Sequence, residues 1–226
     1  MKGSKKRLFK SMKGFTLMEL LISVVIMVMM TGILLGKYPE ATMKITLANA
    51  NNALSLLIHE AQQRGSSVDS SNTTLGGYGV FLNRATGTEA VLFGDKVDST
   101  IPVVQGLPIG NGIYDMTPID ERKSVKKVPP QYSYKKLCIA SSTASLVLAP
   151  YGFLCNESHV PEITSLTVSF SRPNQTAHIY INSSTSTDYS SACIELYSPK
   201  TPQVGHIRSL KVYHSGMVTS ARTPCN

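Results

Sequence analysis

One carboxylate stands where a carboxylate is costly: Glu19 is the only charge in residues 15 to 35, a run of 21 otherwise uncharged and mostly apolar residues. An ionisable group in hydrocarbon costs about 2 to 3 kcal/mol on insertion scales, less near the interface, so Glu19 calls for a partner. The other reactive side chains are four cysteines, Cys138, Cys155, Cys193 and Cys225, and five histidines, His59, His159, His178, His206 and His214. No two cysteines have C-x₂₋₄-C spacing and none is in helical register with a histidine, so no metal site is expected. No Gly-x-Ser-x-Gly, Walker loop or dinucleotide fingerprint is present. His214-Ser215-Gly216 reads as a hairpin turn, and no serine has an evident base. We therefore expect neither an enzyme nor a cofactor. Four Asn-x-Ser/Thr sequons, at Asn72, Asn156, Asn174 and Asn182, are what a Ser/Thr/Asn-rich surface generates by chance.

The element that must hold Glu19 is a helix. At about 1.5 Å per residue, residues 15 to 35 span the roughly 30 Å of a bilayer core. Of the formal net charge of +8, six charges (Lys2, Lys5, Lys6, Arg7, Lys10 and Lys13) precede the run and leave +2 for the rest. That asymmetry sets the N-terminus in the cytoplasm and the bulk of the chain outside. A cleaved secretory signal needs a small-x-small site just after its apolar core. Ala48-Asn49-Ala50 has the form but lies too far downstream, so the helix should stay attached.

The helix is expected to continue to about residue 64, interrupted or kinked near Gly32, Gly36 and Pro39. Past Pro39, Met43, Leu47, Ala50, Leu54, Leu57 and Ala61 recur at alternating steps of four and three, one apolar stripe that wants a sheet to pack on. Thr46, Asn49, Asn51, Asn52, Glu60 and Gln63 fill the other faces. Strands are expected at 77 to 82 and 90 to 93, joined by a turn at Thr86-Gly87, then at 136 to 140, 145 to 148, 163 to 170, 177 to 181, 192 to 197 and 209 to 214. Arg172-Pro173-Asn174 and Ser183 to Ser186 read as hairpin turns. Residues 94 to 136 read as a surface excursion with a short strand or two. Its lysines, Lys123, Lys126, Lys127, Lys135 and Lys136, read as a solvated loop, since they lack the aromatics and arginines of a nucleic-acid surface. The fold class is α+β: a long N-terminal helix, its first half membrane-spanning, packed on antiparallel β-sheet. The divisions are 1 to 14, a leader; 15 to 36, the apolar helix; 37 to 65, its amphipathic continuation; and 66 to 226, an extracytoplasmic β domain.

Lys13-Gly14-Phe15-Thr16-Leu17-Met18-Glu19-Leu20-Leu21, after a basic leader and before an apolar run, resembles the processing site of type IV prepilins and type II secretion pseudopilins. That resemblance implies a prepilin peptidase cutting after Gly14 and methylation of the new N-terminal Phe15. Glu19 would be the assembly residue, its carboxylate meeting the N-terminal amine of a neighbouring subunit. Because Phe15 and Glu19 are also i,i+4, the pair can equally close within one subunit. Gly77-Tyr78-Gly79-Val80-Phe81 and the closing strand-Ser215-Gly216-strand are similar to the H-type minor pseudopilins, the GspH/FimT-like group, which implies a pilin-like fold and tilts the reading toward a secretion apparatus. The implied partners are the peptidase, other pilin or pseudopilin subunits, an inner-membrane assembly platform and membrane lipid, with nucleic acid only in a DNA-uptake system. The implied location is single-pass in a bacterial inner membrane, then a filament. The alternative class is a membrane-anchored surface binding protein, an adhesin or DNA-uptake receptor with no assembly role.

The four cysteines lie in the exported part, where thiols oxidise. Three pairings are open. Cys138 with Cys155 and Cys193 with Cys225 are favoured because each closes the shorter loop, against free buried thiols.

Overall fold

Thr16 starts the long helix α1, Leu17–Ser66. Its hydroxyl accepts the Glu19 N–H at 3.2 Å, and its carbonyl accepts the Glu19 and Leu20 amides at 3.1 and 3.2 Å. Donors that a helix start leaves without partners are thereby satisfied. The computed structural model describes residues 14–67, 75–96, 110–115, 121–130, 132–140, 153–156, 162–171, 175–186, 189–197 and 207–225. They fall into two units, Met1–Thr42 and Met43–Asn226.

In the first unit the helix keeps its polar groups to itself. Ser23 Oγ donates to the Leu20 carbonyl at 2.8 Å, Thr31 Oγ1 to that of Met27 at 2.7 Å, and Thr42 Oγ1 to that of Tyr38 at 3.0 Å. Hydroxyls bonded back to the preceding turn leave the apolar surface unbroken. Of the two expectations at Gly32, Gly36 and Pro39, an interruption or a kink, the interruption is corrected: the helix runs on through all three residues. A proline removes one N–H, here the donor to the Leu35 carbonyl, and flanking helix formers carry the helix past that single loss.

In the second unit two antiparallel five-stranded sheets share one core with the helix. The first contains β1 (Leu75–Asn83), β2 (Glu89–Lys96), β3 (Arg122–Lys127), β6 (Ser165–Ser171) and β7 (Ala177–Ile181), in the order β3-β2-β1-β6-β7. The second contains β4 (Ser133–Ala140), β5 (Leu154–Cys155), β8 (Ser191–Tyr197), β9 (Ile207–Tyr213) and β10 (Val218–Ala221), in the order β10-β9-β8-β4-β5. Leu47, Ala50, Leu54, Leu57 and Ala61 of the helix are buried with Val80, Leu92 and Val168 of the first sheet and Leu137, Ile194 and Leu210 of the second. This is the α+β architecture expected, a long N-terminal helix packed on antiparallel sheet. Ile58 joins the buried face beside the stripe, whereas Met43 stays half-buried. Asn51, expected on a polar face, is buried instead. Its amide bonds β10, which gives the polar group a partner inside the protein.

The Thr86-Gly87 turn joins β1 to β2, and His214-Ser215-Gly216, with Gly216 at φ +83°, joins β9 to β10. Ser183 to Ser186 is not a hairpin turn, a second correction. After Ile181 the chain leaves the first sheet and enters the second as β8, which pairs with β4 and β9. Asn182 makes the exit: at φ 53°, its Oδ1 accepts the Thr164 N–H at 2.8 Å and its Nδ2 donates to the Glu162 carbonyl at 2.9 Å. The lysines read as a loop are instead strand residues. Lys123, Lys126 and Lys127 lie on β3, an edge strand, and Lys135 and Lys136 on β4. Val125 pairs with Val91 of β2, and Lys127 Nζ reaches Glu89 Oε1 at 2.8 Å, so pairing to β2 outweighs the local polarity. Charged side chains on an edge also guard it against pairing with other chains. The strand expected at 145 to 148 lies outside the described residues.

Candidate functional site

The N-terminal residues singled out by the sequence lie together on an open segment. Gly14 has nothing within 4 Å of where a Cβ would stand, and Phe15 is 79% exposed. Glu19, the third residue of α1, is exposed, as are the large apolar side chains Leu17, Leu20, Ile26, Met29 and Leu34. An 18-residue window of this helix has mean hydropathy 2.4 and none of it is buried. The helix is therefore long and apolar enough to cross a membrane. A continuous run of exposed apolar side chains of this length is the kind of surface that lipid or protein usually covers.

All four cysteines meet on the face of the second sheet turned away from the core. Leu137 and Ile139 of β4 point into the core and Cys138 between them points out; Cys193 does the same between Ala192 and Ile194 of β8. Cys138 is bonded to Cys155 and Cys193 to Cys225. The second bond fastens the C-terminal residues over β8, where Glu195 Oε2 also accepts the Cys225 N–H at 3.2 Å. Phe153 packs on this sulfur cluster with Lys211 Nζ 5.1 Å from its ring centre. Of the sequons, Asn156 is buried with its Oδ1 accepting the Leu137 N–H, and Asn72 and Asn174 lie outside the described residues.

A second group of polar residues escaped the sequence reading. On the outer face of the first sheet, Tyr114 lies over Phe81 and Phe93 with ring centres 5.1 and 5.7 Å apart. Gly79 makes room, since a Cβ there would stand 2.5 Å from the Phe93 ring. The segment carrying Tyr114 is tied down by buried acids. Asp95 Oδ2 at the end of β2 accepts the Gly112 N–H at 2.9 Å. Glu121 Oε1 accepts the Lys96 N–H at 2.7 Å and its Oε2 the Asp115 N–H at 2.9 Å. Asn111 Nδ2 donates to Asp115 Oδ2 at 2.7 Å. Burial pushes Asp95 up to about 7, and the neighbouring Glu121 and Asp115 act in the same direction. Glu121 is raised too, chiefly by burial. Gly110-Asn111-Gly112 is a legible turn signal, but nothing local in it indicates docking on Asp95. Among the described residues, no group of three or more His, Cys, Asp or Glu side chains is placed to hold a metal ion.

No family model, curated protein or solved structure matches this chain.

Proposed function

We propose that this chain is a minor pilin or pseudopilin subunit of a type II secretion or type IV pilus-like filament. One observation carries the reading: an exposed apolar stretch, residues 15 to 35, whose single acid, Glu19, stands four residues after the Phe15 that follows Lys13-Gly14. The basic leader stays in the cytoplasm, the helix spans the inner membrane once, and the sheet domain faces outward. Prepilin peptidase cuts after Gly14, and the freed amine of Phe15 is methylated.

Two groups then need each other. An ammonium at Phe15 and the Glu19 carboxylate each lose hydration in an apolar setting, and pairing across adjacent subunits recovers much of it. That pairing fixes how far one helix is displaced along its neighbour, while the apolar surface of residues 15 to 35 supplies the packing. The chain is thus a substrate of processing and a structural part, with no reaction of its own.

Intact-mass measurement of the membrane-extracted protein tests this. Loss of residues 1 to 14 with gain of one methyl group is expected. A chain that keeps Met1 overturns the reading in favour of an anchored binding protein outside any filament.

A further inference from the structure

The first sheet ends differently on its two sides. At β7 the chain closes its own edge: Ala177 donates its N–H to the His214 carbonyl at 2.8 Å, and the Ile179 carbonyl accepts the Tyr189 N–H at 3.1 Å. At the other side, β3 is covered by no strand among the described residues. Val128, just past β3, donates its N–H to the Thr88 carbonyl at 2.9 Å. With the register of β3 on β2, that bond makes Ser124 and Lys126 the residues whose backbone faces β2, and it directs the N–H and C=O groups of Val125 and Lys127 outward. Among the described residues, no backbone group bonds to them there.

The side chains on this edge are of one sign. Arg122, Lys123, Lys126 and Lys127 are all exposed and put +4 on six residues. Residues 15 to 226 together carry +2, so everything else in that stretch sums to −2. Glu89 answers Lys127 across the pair with β2, whereas Lys123 and Lys126 have no acidic partner among the described residues. Charges that repel a like strand attract an unlike one: the row that keeps copies of β3 apart is complementary to a strand rich in Glu or Asp. A strand added to a sheet edge gains affinity from its main-chain hydrogen bonds and specificity from its side chains.

We propose that the outer edge of β3 is a docking site for an extended acidic segment of another protein, which adds to the first sheet as its sixth strand. The incoming backbone pairs with Val125 and Lys127, and its carboxylates stand opposite Lys123, Lys126 and Lys127. The site belongs to the sheet domain and is independent of the filament reading.

The test is amide-shift titration of the full chain in neutral detergent micelles with acetyl-Glu-Glu-Val-Thr-Glu-Glu-amide. It is read at Val125 and Lys127, so that the basic leader, which also attracts acids, is not counted. Saturable shifts at those two amides are expected in about 20 mM salt, with binding several-fold weaker in about 200 mM. The fully N-methylated peptide keeps the charge but loses every backbone donor, and should bind at least about tenfold more weakly. Lys123→Glu combined with Lys126→Glu should abolish binding of the acidic peptide and admit acetyl-Lys-Lys-Val-Thr-Lys-Lys-amide, with the amides of the second sheet unmoved. Equal binding of the N-methylated peptide, undiminished binding of the acidic one in the double variant, or no saturation up to about 5 mM overturns the proposal. Tighter binding of a DNA duplex at the same amides does so too, and makes the edge a surface for nucleic acid.

Discussion

Asn51 in the long helix donates its side-chain amide to Ser220 Oγ at 2.7 Å, across 169 positions of sequence. That bond ties the helix to β10, between a buried residue and an exposed one. Removing either partner has unequal consequences. Ser220→Ala leaves the Asn51 amide buried without an acceptor, and should lower stability by about 1 to 3 kcal/mol. Asn51→Leu combined with Ser220→Ala removes both needs, and should recover part of that loss. Denaturant unfolding of the four chains of this cycle decides it: a double variant no more stable than Ser220→Ala refutes the account.

The disulfide joining Cys193 to Cys225 closes 32 positions and holds the C-terminal tail against β8. Replacing both with alanine should cost about 2 to 4 kcal/mol. Mapping of unreduced peptides checks the pairing itself, since Cys138 and Cys193 are neighbours in register and an exchanged pair is geometrically close.

Asp95 makes stability depend on pH. Its ordinary value of 3.8 is pushed up to about 7 in the folded chain by burial. Between about pH 4 and 7 the folded state therefore binds more protons than the unfolded state, so stability falls as pH rises through that window and levels off above it. Asp95→Asn should flatten the profile. Its gain at pH 8 over its gain at pH 4 should be roughly 1 to 4 kcal/mol. Parallel profiles for the two chains contradict this.

Glu19→Ala leaves the apolar run and the Gly14–Phe15 bond untouched, so insertion and cleavage should proceed. Incorporation into filaments should drop. Equal incorporation of variant and wild type in a pull-out assay removes the axial role assigned to Glu19.

Much of this was legible because local periodicity and burial agree. Leu47, Ala50, Leu54, Leu57 and Ala61 keep a helical period and are all buried. In β7, Ala177, Ile179 and Ile181 are buried while His178 and Tyr180 between them are half-exposed. The burial of Asn51 is not legible because its type marks it polar, and its Ser220 partner lies far along the chain. The switch of sheets after Ile181 was illegible for a related reason: a polar Ser/Thr stretch suits a hairpin and a crossover equally well. The acids around Asp95 are not legible in the sequence because Glu121 reaches β2 through the pairing of β3 with it, and no spacing rule describes that pairing.

The hydroxyls of Ser23 and Thr31 travel with their own acceptors one turn back. Such groups are indifferent to company: exchanging hydrocarbon tails for sister helices asks nothing new of them. Along residues 15 to 35 that leaves Glu19 as the one side chain able to tell a solitary helix from a bundled one.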